Sequence, residues 1–355
     1  MADSTIGIVG LGGMGQLHAG NVADHGGEVI AGADVIEGAR EEFAEAFDAA
    51  TYEDYEEMYD AAEPDGVVIT TPNTFHEPAA TAALERNIDV LCEKPLADTL
   101  DAAESIADAA HGSDAFCMVG FHNRFSVAGE LFTEHRENGR FGEIRHVEAN
   151  FIRRRGIPGL GSWFTDRDLS GGGALIDIGV HAIDFALYLA GYPDVAEVSG
   201  TVRTDFGDTE AYADPDDWAG NWRTDEEVFD VDDSANAFIR CANGATIALD
   251  VAWATNREPE REFVARGTEA GARCDLGGDS LHLYETDTAA TDHYVDTGLE
   301  GSLDPSGHEA EDIAFLEGIE TGERPEINRV EEGLTVQRVI DAIYRSSEEG
   351  GAVQL

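Results

Sequence analysis

Lysine is almost absent from this chain: of its 22 basic residues only Lys94 is a lysine, and the rest are arginines. Basic charge of any kind is scarce, with 73 Asp and Glu setting a formal net charge of −51 over 355 residues. Such a surface meets phosphates with their own sign, which excludes nucleic acid as a partner. Cysteine is sparse too. Cys92, Cys117, Cys241 and Cys274 stand far apart with no CxxC pair, which leaves disulfide frameworks and cysteine metal sites unsupported and buried thiols expected. No basic segment leads into an apolar stretch at the N-terminus, and no apolar run approaches spanning length, so a soluble, cytoplasmic protein with no membrane partner is expected.

What is present is a core. Hydrophobic residues make up 42% of the chain, more than acidic disordered chains carry. The acid is spread along the whole length, as in Glu53-Asp54, Asp216-Asp217 and Glu348-Glu349, and reads as a solvated surface. At molar salt the Debye length falls to roughly 3 Å and such a surface no longer repels itself. The charge and the loss of lysine together suggest a halophile.

The first third alternates strand and helix. "STIGIVG", "EVIAGADV", "GVVIT", "DVLCE" and "AFCMVGF" are short apolar runs, and helical spacing between them predicts helices near 39–47, 78–86 and 100–110. This pattern makes a doubly wound parallel sheet, expected over residues 1–121. Beyond it, helices are predicted at 127–138, 174–189 and 331–347. "VAEVSGTV", "SANAFIRC", "ATIALDVAWA", "REFVARG" and "SLHLYET" follow one another without helices between. Residues 122–355 are therefore expected to form an α+β domain with a large, mainly antiparallel sheet, the last helix packing across both domains. The acidic stretch 205–230, with Trp218 and Trp222, receives no role.

Gly10, Gly12 and Gly15 form GxGxxG after a strand and before a helix, and Asp34 stands nineteen residues beyond Gly15. The glycines allow a tight turn, approach of a pyrophosphate to the backbone, and close helix packing. Asp34 would accept hydrogen bonds from an adenosine ribose and repel a 2′-phosphate, which favours NAD over NADP; Arg40 keeps NADP open. "TTPNTFHEP" follows the next strand at the same sheet edge. Pro72, Asn73 and His76 are cofactor neighbours there, or else Asn73 or Thr74 merely caps a helix. Lys94 follows another strand, and Pro95 restricts it. Its lone survival points to chemistry that a guanidinium cannot supply, though a chance remnant gives the same sequence. In "SGGGALIDIGVHAID", Asp177 and His181 share a helix face that Asp184 continues. They form a site or an exposed pair, and the flanking apolar residues favour burial. No third ligand stands at metal spacing, so no metal is expected.

"GIVGLGGMGQLHA", "TPNTFH", "CEKPLA" and "GGGALIDIGVHAIDFALYL", in this order, resemble the Gfo/Idh/MocA family of oxidoreductases. The resemblance implies a Rossmann domain, an open sheet used in homodimers or homotetramers, and NAD-dependent oxidation or reduction of a sugar or cyclitol. It makes Lys94, Asp177 and His181 the catalytic trio. Cofactor contacts would come from Gly10, Gly12, Gly13, Met14, Gly15, Asp34, Thr71, Pro72, Asn73, His76, Glu93 and Lys94. His122, Arg124 and Trp163 would line the substrate pocket beside the trio. An NAD-dependent glycosidase and a nucleotide-binding sensor remain as alternatives.

Overall fold

The structure, a computed structural model, describes residues 4–355 except 208, 210–211 and 219–227; Trp222 lies outside the described residues. It divides into two compact units. The first comprises residues up to His122 together with Pro305–Gln337, and the second Asn123–Asp304 together with Arg338–Leu355.

In the first unit, β1 (Thr5–Val9), α1 (Gly13–Asp24), β2 (Glu28–Ala33), α2 (Glu37–Phe47), β3 (Ala50–Tyr52), α3 (Tyr55–Ala62), β4 (Gly66–Ile69), α4 (His76–Leu84), β5 (Asp89–Cys92), α5 (Leu100–Gly112) and β6 (Cys117–Val119) follow in turn. The six strands are parallel in the order β3-β2-β1-β4-β5-β6. Every residue of β4 is buried, as a strand covered on both faces requires. The order reverses beside β1, so the loops after β1 and β4 flank the crevice where such sheets bind ligands.

The second unit contains α6 (Val127–Glu137), β7 (Ile144–Ile152), α7 (Arg167–Ser170), α8 (Val180–Ala190) and the strands β8 (Val195–Arg203), β9 (Ser234–Cys241), β10 (Thr246–Ala252), β11 (Glu260–Gly267), β12 (Gly271–Asp275), β13 (Ser280–Asp287) and β14 (His293–Glu300). Residues 122–355 were expected to form one domain, but Pro305–Gln337 lies in the first unit. The reason is α9 (His308–Thr321): its Phe315 and Leu316 enter the cluster of Ile6, Ile8, Leu11, Val68 and Leu91. Each such fully buried side chain contributes about 1.5–3 kcal/mol. The residues of α10 (Val330–Glu349) divide between the units at Gln337, and β15 (Val353–Gln354) returns to β8. The second sheet has nine strands in the order β14-β13-β12-β11-β7-β10-β9-β8-β15, antiparallel except for β7 with β10.

The stretch Arg167–Ala190 is long and apolar enough by composition to cross a membrane, contrary to expectation, yet 83% of its most apolar window is buried within the protein. Its sequence serves a core. Just ahead of α8, residues Leu175–Gly179 form a π-turn, a device common at functional sites. Two of the three glycines before it admit protein. A Cβ on Gly173 would lie 1.8 Å from Asp232 O, and one on Gly172 would lie 2.0 Å from the Tyr344 hydroxyl. Asp232 caps this helix start, accepting from Gly173 N–H and Leu175 N–H at 2.9 Å each.

Candidate active site

Gly10 (φ +91°) closes the turn after β1; a Cβ there would stand 2.9 Å from the Thr70 carbonyl carbon. A Cβ on Gly15 would lie 2.0 Å from Gly10 O, so α1 rides directly on the turn. Gly12 and Gly13 differ, since a Cβ on either would meet nothing within 4 Å. The start of α1 has no side-chain cap and no acid in its first turn. Its amides and the positive end of the helix dipole are open to an anion, with Met14 exposed beside them. Past β2, Asp34 accepts from Leu11 N–H and Ile36 N–H, both at 2.8 Å. Val35 and Ile36 are 78% and 63% exposed there, an apolar shelf matched to an adenine ring. Arg40 Nη1 donates to the Asp34 carbonyl at 2.6 Å, so a guanidinium stands beside the acid. An open phosphate cradle, a ribose acceptor and an adenine shelf fit a dinucleotide.

The loops after β4 and β5 meet through His76. Its buried ring lies between Pro95 O (2.8 Å) and Thr71 O (2.9 Å). Burial lowers the proton affinity of this ring below its ordinary value and outweighs the two carbonyls. Thr71 and Pro72 are half-buried and Asn73 is buried. Phe75, rather than Asn73 or Thr74, occupies the cap position of α4, and it forms no side-chain cap bond. Lys94 is half-buried, its N–H donating to Glu93 Oε2 at 2.9 Å.

Behind Lys94 lies a charge cluster that sequence spacing does not reveal. His18, one turn beyond the glycine motif, is fully buried; its Nδ1 donates to Asp312 Oδ1 (2.7 Å) and its Nε2 faces Glu93 Oε1 (3.3 Å). Burial alone would discharge the ring, but the two carboxylates prevail and push its pKa up to about 10. Burial likewise works against the Glu93 carboxylate, yet the His18 bond and charge hold it down at about 2. A Cβ on Gly120 would press on Glu93 at 3.1 Å, which explains that glycine. His308 stacks on His122 with centroids 3.8 Å apart, and burial with the neighbouring His308 lowers His122 to about 3. Burial raises Glu311 to about 7. Ligand-type atoms of His18, Glu93 and His308 lie within 4.8 Å of one another. An imidazolium whose two N–H groups both serve carboxylates has no lone pair to offer a metal.

In the second unit, Asp177 sits on the π-turn and His181 opens α8, buried with its ring edge-on to Phe151 (6.2 Å). Trp253 Nε1 donates to Asp177 Oδ2 at 2.8 Å, and Arg153 Nη1 lies 3.6 Å from the same oxygen. Trp253, near the end of the strand segment "ATIALDVAWA", was not singled out by sequence, whereas Arg153 opens "RRRGIPGLGSWF", a segment that resembles pocket segments of the family. Trp163 is half-buried and stacks on Phe164 at 3.9 Å. The structure gives Arg124 and Asp184 partners in each other. Arg124 is fully buried: its Nη2 pairs with Asp184 Oδ1 (2.5 Å) and donates to the Tyr192 hydroxyl (2.7 Å), between the Tyr188 and Tyr192 rings. Asp184 is thereby engaged with Arg124.

Comparison with known proteins places both units. Residues 4–121 match "Oxidoreductase family, NAD-binding Rossmann fold" and residues 132–273 match "GFO/IDH/MocA C-terminal domain". D-glucoside 3-dehydrogenase of Escherichia coli K12 is 31% identical over 316 residues, covering 86% of this chain and 84% of its own. D-xylose 1-dehydrogenase (NADP(+)) 2 of Haloferax volcanii is 30% identical over 355 residues, covering 99% and 98%. The solved structure of levoglucosan dehydrogenase in complex with NADH and levoglucosan superposes with a TM-score of 0.84 at 25% identity, covering 99% of each chain.

Proposed function

Because this chain belongs to the Gfo/Idh/MocA oxidoreductase family, we propose that it moves a hydride between NAD and a hydroxyl-bearing carbon of a sugar or cyclitol. The observation that carries this reading is a buried imidazole, His181, set one turn from a carboxylate that Trp253 holds in place. Related chains with that overall fold are sugar dehydrogenases.

Bound nicotinamide supplies the hydride acceptor or donor at its C4. The amides of the glycine turn bind the pyrophosphate, and Asp34 binds the ribose. His181 removes the hydroxyl proton as general base. The Lys94 ammonium donates to that oxygen and stabilises its developing charge. Asp177 accepts from an adjacent hydroxyl and orients the ring. NAD is the preferred cofactor through repulsion of a 2′-phosphate by Asp34, and Arg40 is the residue that would admit NADP. Screening sugars and cyclitols with each cofactor tests this reading; dinucleotide binding without turnover of any of them would contradict it.

The reading extends to a cytoplasmic enzyme of a salt-rich cell, supported by the charge of −51. It also extends to homodimers or homotetramers formed through the large sheet, where Phe238, Tyr284 and Tyr294 are exposed. Thermal stability that does not change between dilute buffer and molar KCl would contradict the first extension, and a monomer in sedimentation the second.

A further inference from the structure

A cavity of about 650 Å³ opens in the second unit beside the candidate catalytic helix. Phe151, one of its walls, meets the His181 ring, and Arg153, another, stands 3.6 Å from Asp177. Its lining also includes Arg154, Arg155 and Arg261. Four arginines in one cavity are unexpected in a chain that holds 21 of them against 73 acids, and Arg153–Arg155 is its one run of three basic residues.

Four carboxylates line the same cavity, and three are already engaged. Glu260 pairs with Arg257 and accepts from Asn150 Nδ2 (2.8 Å). Glu262 pairs with Arg273 at 3.3 Å. Asp275 accepts from the backbone N–H groups of Gly277 and Gly278 at 2.8 and 3.2 Å. Asp216 remains, exposed to solvent.

The arginines are less fully compensated. Arg154 lies 3.6 Å from Glu258 at the surface. Among the described residues Arg155 donates to neutral acceptors alone, namely the carbonyls of Arg154 (2.7 Å) and Thr255 (2.5 Å) and Asn256 Oδ1 (2.7 Å). Arg261 lies over the Phe151 ring at 5.9 Å, and among the described residues neither it nor Arg155 forms an ion pair. Arg153 is covered by the Trp218 indole at 4.4 Å. The cavity thus presents two uncompensated guanidinium groups and two aromatic walls. Hydroxyls alone do not require that charge. Planar guanidinium groups match carboxylate and phosphate oxygens, and charge-assisted bonds to them are the stronger kind.

We propose that the substrate is an anionic sugar, a sugar acid or sugar phosphate, whose anionic group is bound by Arg261 and Arg155 and whose reacting hydroxyl lies at His181. The assignment rests on the sugar-dehydrogenase reading and narrows it. Phe151, a wall of this cavity, has the His181 ring edge-on to it and Arg261 over its face, so a single ring lies between the imidazole and that guanidinium.

The test compares neutral aldoses with their matched aldonates, uronates and phosphates at one ionic strength. Initial rates are measured with NAD+, and binding to the NAD+-loaded enzyme is measured by calorimetry. An anionic member of a pair should be preferred in kcat/KM. That preference ratio should fall by about tenfold to a hundredfold in Arg261→Gln, the effect of one charge-assisted hydrogen bond. Arg261→Lys should keep more of it than Arg261→Gln. The uronate and phosphate arms separate the two anions. Turnover of neutral sugars without anionic preference, or a ratio unmoved by Arg261→Gln, would overturn the proposal and leave the dehydrogenase reading intact. Neither turnover nor binding of any sugar would overturn both.

Discussion

Each unit buries a charge cluster, and the two are built from opposite materials. In the second, Arg124 and Asp184 form a pair with both side chains 1% exposed, between two tyrosine rings. A guanidinium does not lose its proton in a protein, so this pair is fixed. In the first, His18 takes the place of the arginine between Glu93 and Asp312. An imidazolium carries the same charge but can release it. The fixed pair braces α8 from behind, while the titratable cluster ends on Glu93, whose other oxygen receives the Lys94 N–H. Permanent charge serves the scaffold, and protonatable charge adjoins the residue assigned to chemistry.

The largest effect should come from breaking the fixed pair. Arg124→Met leaves Asp184 buried without its cation and should cost about 3–5 kcal/mol of stability. Denaturant unfolding checks this, and the loss should be the same at pH 6 and pH 9. A loss that varies over that range would mean the pair is not the permanent one described.

A smaller effect, confined to turnover, is expected at Lys94. Lys94→Arg keeps the charge but replaces a compact ammonium with a planar fork, and kcat should fall about 10²–10³-fold. Fluorescence titration should find NAD binding unchanged. Turnover near that of the wild type would remove Lys94 from the chemistry.

The subtlest effect concerns pH. The folded-state pKa of His18 is raised from 6.5 to about 10, so the stability it brings is complete below 6.5 and lost as pH rises through 10. His18→Gln should therefore destabilise most near pH 6, and the gap from wild type should close towards pH 10. The same bond viewed from Glu93, lowered from 4.5 to about 2, is present above 4.5 and lost as pH falls towards 2. Chemical denaturation at several pH values measures both limbs. A gap that stays constant from pH 6 to pH 10 would show that His18 is not charged.

Local chemistry made half of this legible in the sequence. The turn after β1 is written in adjacent glycines, and the parallel strands in short apolar runs. The spacing of Asp177 and His181 places both at the start of one buried helical segment. Long-range pairing was not legible. His18 and Asp312 are 294 residues apart, and only the packing of α9 in the first unit joins them. Arg124 was expected at the pocket from the resemblance of its segment to pocket segments of the family; its partner, Asp184, lies 60 residues away. The short β3 and α3 were passed over because Ala50–Tyr52 spans three residues and Tyr55–Ala62 carries three acids that dilute its apolar face.

The most direct measurement of the central claim is the fate of one hydrogen. A sugar that the enzyme turns over, deuterated at the carbon bearing the reacting hydroxyl, is incubated with NAD+ and His181-intact enzyme, and the reduced nicotinamide is examined by mass spectrometry. Direct hydride transfer requires one deuterium in each NADH formed, together with a slowed rate. Unlabelled NADH, or product without net NADH, would contradict the assignment as a sugar dehydrogenase.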